Sequence, residues 1–427
     1  MTALTTLAER FRPGAPGQKR RGLTYPKALL LVAGALFLLS LVRVITEENS
    51  LTATDQWVSA MTFAVPIGLA GLGGLWAERS GVINIGLEGM MMLGLFAAGW
   101  IGWQHGPWAA VAAGIVGGAL GGLVHALATV TFGVDHIVSG VAINILALGV
   151  VQFLAKQWFG NEGSAAAEAG GNDKQSPPMD RIEPFSVPGL SDWLGDLAGQ
   201  RWFLVSDAAG VLRALVHNVS WLTVLAVLLF VGTYLLLWRT SFGLRLRSCG
   251  ENPQATESLG VNVYLYKYVA LIVSGALAGL GGAYLAVLIR MYQDGQTGGR
   301  GYLGLATMIF GNWRPGGVAA GAGLFGFMDA LQTRGGGAVV HATLLLFALV
   351  LLGLAVWQYL RGRRVVAAAL AGTAVLLWAW YQATDTMPLE LVTASPYLTT
   401  LLVLTLFAQR LRTPRAVGKP YRRGQDT

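Results

Sequence analysis

Long runs without Asp, Glu, Lys or Arg dominate the chain: Trp57 to Ala77, Gly106 to Val134, Ile137 to Ala155, Val219 to Trp238 and Tyr268 to Ile289. Each approaches or exceeds the roughly 20 residues that carry a helix across a hydrocarbon core. A transmembrane barrel would instead alternate over short segments. The pattern predicts an all-α, polytopic helical membrane protein. Spans are predicted over 28–46, 57–77, 82–104, 108–132, 137–157, 219–238, 268–290, 302–311, 318–333, 338–358, 365–381 and 396–409. The eighth has only ten residues and runs into Asn312-Trp313-Arg314-Pro315-Gly316-Gly317. It is too short to cross as a straight helix, so a broken or re-entrant helix buried in protein is expected.

Charge orients these spans. Short loops rich in Lys and Arg stay cytoplasmic. Arg10, Arg12, Lys19, Arg20, Arg21 and Lys27 place the N-terminal tail (1–26) inside. Arg410, Arg412, Arg415, Lys419, Arg422 and Arg423 do the same for the C-terminal tail (411–427). Two inside tails need an even number of crossings, which twelve spans within 27–410 supply. The acidic, Gly- and Pro-rich segment 158–218 is expected outside, and the basic loop 239–267 inside.

Composition agrees. Hydrophobic residues make up 54% and charged residues 12% of the 427 positions, against about 25% charged in a soluble domain. The net charge of +8 sits in tails and loops, where topology explains it without nucleic acid as a partner. Membrane lipid is the surrounding instead. Gly114, Gly117, Gly118, Gly121 and Gly122 recur at near-helical spacing, which lets membrane helices approach closely. The single cysteine, Cys249, excludes an internal disulfide and a cysteine-rich metal cluster.

Ionisable groups within spans are costly and are therefore functional candidates. Glu88 is the main one; His125 and His341 read as packed or interfacial, and Arg43 is placed to snorkel. Asn84 and Glu88 are four residues apart, which predicts one shared helix face. That face either lines a solute pathway or ties helices together. Ser139 to Asn144 forms a second polar face with the same two readings. The loop after the sixth span is richer. Asn252 suits an N-cap and Pro253 the first helical position, and Gly260 suits a left-handed stop. A two-turn helix over 253–259 is predicted, too short to be stable alone and suited to docking a soluble partner. No phosphate-binding Gly-x-x-x-x-Gly-Lys-Ser/Thr loop, zinc-binding His-Glu-x-x-His or nucleophile elbow is present, so the chain offers no catalytic constellation and calls for no cofactor or metal.

Four stretches carry a resemblance. They are Gly74-Leu75-Trp76-Ala77-Glu78-Arg79-Ser80-Gly81-Val82-Ile83-Asn84-Ile85-Gly86-Leu87-Glu88-Gly89-Met90-Met91; Gly243 to Val261 with Lys267 and Ser274 to Ala283; Gly299 to Ala306 with Ile309-Phe310-Gly311; and Pro396 to Leu401. Together they resemble the branched-chain amino acid/sugar permease family of ABC importers, and most of all its nucleoside and simple-sugar branch. The resemblance implies a non-enzymatic permease subunit in the inner membrane, carrying nucleosides or related sugar-bearing solutes. It also implies a separate ABC ATPase subunit, a second permease subunit (the same or paralogous) and an extracytoplasmic solute-binding protein. The loop resembles the family's coupling helix, which assigns ATPase contact to Arg245, Arg247, Gly250, Glu251, Asn252, Pro253, Ala255, Thr256, Glu257 and Gly260. The substrate pathway candidates are Asn84, Glu88, Ser139 and Asn144. Residues 338–381 depart from the family as an insertion of two spans beyond a core of about ten. An ion-coupled secondary transporter using Glu88 and the broken eighth span is the alternative. So is the same class of importer with a sugar or branched-chain amino acid as its solute.

Overall fold

A computed structural model describes residues 25–161, 163–388, 390–395, 398 and 411–422. The helices are α1 (Tyr25–Thr46), α2 (Thr54–Arg79), α3 (Leu87–His105), α4 (Pro107–Ala126, prolonged by a π-turn at Leu127–Thr131) and α5 (His136–Trp158). Two surface helices follow, α6 (Leu190–Gly199) and α7 (Val205–Ala214). Then come α8 (Trp221–Arg239), α9 (Ser241–Glu251), α10 (Pro253–Ser258), α11 (Val263–Ile289), α12 (Arg300–Phe310), α13 (Pro315–Ala330, with a π-turn at Leu331–Gly335), α14 (Gly336–Leu360) and α15 (Arg364–Ala383). Among the described residues no strand forms beyond isolated bridges.

The all-α membrane architecture is as expected. Among the described residues, 7 helices are long and apolar enough to cross alone: α2, α4 with its π-turn, α5, α8, α11, α14 and α15. The expected span 396–409 lies almost wholly outside the described residues. The eighth span is the short α12, as its length required.

α11 is the central post. It packs on α4, α3 and α2, while α12 and α13 pack on the other side of α2. The glycine stripe of α4 serves two neighbours. Gly118 and Gly122 lie against the α11 backbone at Gly275 and Leu271, while Gly117 and Gly121 face Leu93 and Met90 of α3. A side chain at Gly118 would collide with the Gly275 carbonyl. Backbones this close gain dispersion contact that larger residues would block.

Two expectations change. The third span does not begin at 82: α2 ends at Arg79, residues 82–85 are non-helical, and α3 starts at Leu87. Gly81, at φ +93°, turns the chain out of the helix. Asn84 and Glu88 therefore do not share a helix face. Arg43 does not snorkel either. Its Nε lies 3.2 Å from Asp207 Oδ1, and both side chains are buried. Asp207 also accepts a 2.6 Å hydrogen bond from Thr52 Oγ1. The acidic segment 158–218 is thus anchored to the helices by a buried ion pair.

Gly118→Ala should destabilise the protein by about 1–3 kcal/mol, the usual cost of overpacking. Gly149 on α5 has open space around its Cβ position, so Gly149→Ala should leave the unfolding midpoint in detergent unchanged or slightly raised. Equal midpoints for the two variants would contradict the packing described.

Candidate functional site

A non-helical segment inside a helical bundle leaves backbone groups without helical partners, and side chains must satisfy them. At the α2–α3 break they do. The Ile83 carbonyl lies 2.9 Å from His125 Nε2, whose Nδ1 is 2.8 Å from Ser139 Oγ. Asn144 Nδ2 donates to the Ile85 carbonyl at 3.0 Å, and its Oδ1 accepts from Gly89 N at 2.7 Å. Asn84 Oδ1 accepts from Gly86 N at 3.0 Å, and its Nδ2 donates to Ser274 Oγ at 2.9 Å. Asn84, Ser139 and Asn144 are brought together here, with His125 as an added member. All four are buried.

Glu88 faces the other way, toward α12. Its Oε1 accepts from Gly299 N at 3.0 Å and its Oε2 from Gly301 N at 2.6 Å. Gly299, at φ +81°, occupies the cap position of α12 and has no side chain to serve as cap. Glu88 supplies the cap from 211 residues away. A carboxylate is favoured there by the orphan amides and the helix dipole. Asn144 Nδ2 also donates to Tyr302 Oη at 3.1 Å, so α3, α5 and α12 meet at one joint.

The far end of α12 is tied as well. Asn312 and Trp313 both have positive φ, +52° and +54°, which non-glycine residues adopt only when held. Trp313 Nε1 donates to Glu78 Oε2 at 2.6 Å, and Arg79 Nη2 donates to the Trp313 carbonyl at 2.6 Å.

At that same end of the bundle lie α9 and α10. Asn252 Oδ1 accepts from Ala255 N at 3.0 Å, Pro253 opens the helix and Gly260 has φ +79°. Thr256 is buried and donates to the Asn252 carbonyl at 2.7 Å. Arg245 is exposed, while the Arg247 guanidinium lies 5.4 Å from the Trp238 ring centroid. Gly250 packs on the Arg79 carbonyl, where a Cβ would not fit. Glu251 and Glu257 accept hydrogen bonds from Arg415 N and from the Tyr421 hydroxyl. Leu259, 84% exposed, caps the surface beside Ala255 and Ser258. Cys249 is buried, which pushes its thiol up to about 11.

The opposite end carries a cavity of about 660 Å³. Ser59, Thr62 and Phe63 of α2, Tyr284 of α11, and Arg181, Asn218 and Arg290 line it. None of the pathway residues expected from sequence lies on its wall. Isolated Ser and Thr in an apolar run give no sequence signal, which is why these residues were missed.

Apolar spans, a broken helix capped from a distance and a rigid two-turn helix at one end define a membrane transport protein built around a joint. Residues 56–356 match the family model described as branched-chain amino acid transport system, permease component, and the chain belongs to that family. It is the membrane permease subunit of an ABC importer. The guanosine ABC transporter permease protein NupQ of Bacillus subtilis is 32% identical over 375 residues, 86% of this chain and 96% of the relative. The nucleoside ABC transporter permease protein NupC of Lactococcus lactis is 34% identical over 285 residues, 65% of this chain and 81% of the relative. The putative glucose ABC transporter permease protein TsgC13 of Haloferax volcanii is 31% identical over 268 residues, 62% and 73% of the two chains. No solved structure matches the chain.

Glu88→Gln replaces one acceptor by a donor facing a backbone N–H. It should lower stability by about 1.5–3 kcal/mol, the worth of hydrogen bonds to a charged group, and reduce uptake. An unchanged unfolding midpoint with unchanged uptake would remove Glu88 from the joint. Cys249 should resist thiol reagents near neutral pH until the fold is lost, because the thiolate is the reactive form. Rapid labelling of the native protein would contradict its burial.

Proposed function

We propose that this permease carries nucleosides or related sugar-bearing solutes inward, driven by a separate cytoplasmic ATPase that docks on α10. The presentation of α10 carries the reading: a helix of 6 residues, capped at its start by Asn252 and stopped by Gly260, with Ala255, Ser258 and Leu259 turned outward. A helix this short does not persist on its own, and its rigid mounting suits it to transmit a push. The basic residues near both tails support a cytoplasmic position for that end. Segment 158–218 then faces the solute-binding protein, and a second permease subunit, the same or paralogous, completes the complex. Within residues 338–381, α14 packs into the bundle against α1 and α13, and α15 is the largely exposed member of the pair, facing lipid.

The solute class is supported by the names of the relatives, two of which concern nucleosides and one glucose. The cavity suits such a solute. Ser59, Thr62 and Asn218 offer hydroxyl and amide groups to sugar hydroxyls, and Phe63 and Tyr284 offer ring faces. Asn84, Glu88, Ser139 and Asn144 serve transport by holding the α2–α3 break and its joint with α12. The ion-coupled alternative loses its main carboxylate, because both Glu88 oxygens already accept backbone amides.

Leu259→Asp should abolish co-purification of the ATPase while leaving membrane insertion and elution profile intact. Full retention of the ATPase would refute docking on α10. Thr62→Leu should cut uptake about tenfold, equivalent to about 1.4 kcal/mol, with ATPase association unchanged. Wild-type uptake would exclude this cavity from the route.

A further inference from the structure

Residues 411–422, which sequence reading treats only as a basic tail, lie across the α10 end of the bundle as a strap. Arg412 N donates to Asn312 Oδ1 at 2.8 Å, and Arg415 N to Glu251 Oε2 at 3.4 Å. Ala416 N donates to the Gly250 carbonyl at 2.9 Å, and Gly418 N to the Gly81 carbonyl at 3.2 Å. Tyr421 donates to Glu257. Its ring centroid lies 5.8 Å from Lys267 Nζ and 5.7 Å from the Tyr264 ring. Pro414 and Ala416 are buried. A Cβ on Gly81 would sit 3.2 Å from Gly250 Cα and 3.5 Å from the Ala416 carbonyl, so break, α9 end and strap meet in one packed layer.

The anchors are not a random sample of the surface. Gly250, Glu251 and Glu257 belong to the docking end, Gly81 opens the α2–α3 break, and Asn312 follows α12. We propose that segment 411–422 is a brace that couples α10 to the helix break and to α12, so that displacement of α10 reaches the joint around Glu88 through it. Tyr421 and Ala416 are its positioning residues at the docking end, on Glu257 and Gly250, and Gly418 is its positioning residue at the break. The inference rests on the reading that α10 docks an ATPase. Backbone bonds and two buried residues make the strap part of the platform rather than a cover that lifts away.

The test uses the full complex of permease, ATPase and binding protein in proteoliposomes, with nucleoside as solute. Tyr421→Phe removes only a hydroxyl, and Ala416→Pro removes the donor to Gly250. Both variants should retain the ATPase and hydrolyse ATP, but solute moved per ATP should fall about fivefold or more, the scale of a coupling energy. Spin labels on cysteines placed at Gln254 and Lys419, both exposed and outside the assigned ATPase contacts, should keep one distance with and without ATP, the native Cys249 being buried. An unchanged solute-to-ATP ratio in both variants overturns the brace. So does loss of the ATPase, which would make the strap a docking surface, or faster uptake at an unchanged ratio, which would make it a cover. A changing label distance also overturns it. If the wild-type chain retains no ATPase, the docking reading itself has failed, and the brace with it.

Discussion

Two backbone amides of α12 rest on the carboxylate of Glu88, and the rest of the architecture is arranged around that bond pair. A half-helix that ends inside a bundle exposes orphan N–H groups where no water can serve them. Gly299 cannot cap them, so the first turn of α3 does so from across the sequence. The carboxylate in turn needs α3 to begin at Leu87. That start requires the chain to leave α2 at Gly81 and run non-helical to Ile85. The non-helical stretch then needs His125 and Asn144 to satisfy its carbonyls. One capping interaction thus explains a broken helix, a buried histidine and two buried amides.

This joint has a mechanical character that a continuous span lacks. Its members belong to α3, α4, α5, α11 and α12, and they are joined by hydrogen bonds between side chains and backbone. Close glycine contacts between α4 and α11 form a stiff post beside it. The positive-φ turn at Asn312 and Trp313 holds the far end of α12 to α2.

Sequence reading recovered what local chemistry determines. Asn252, Pro253 and Gly260 announced α10 because cap, first-turn proline and left-handed stop are local devices, and the observed helix ends within one residue of the expected stop. The short eighth span was legible from length alone. The break at 82–86 was not, because Val82-Ile83-Asn84-Ile85 is as apolar as a span and only long-range partners at His125, Asn144 and Ser274 hold it out of a helix. α9 was read as loop because its hydrophobic residues are few, and its signal, the Thr240 cap on Gly243 N, is weak without the turn it closes. The pairing of Arg43 with Asp207 and the seating of 411–422 join positions far apart in the chain, which no periodicity reveals.

A permease subunit of an ABC importer moves its solute at the expense of ATP hydrolysed elsewhere in the complex. The most direct measurement is the ATPase rate of the reconstituted complex, with its binding protein, as nucleoside is added. The account predicts a rise with nucleosides that depends on the binding protein. A rate indifferent to nucleosides and sugars, together with uptake that collapses when the ion gradient is dissipated, would contradict it.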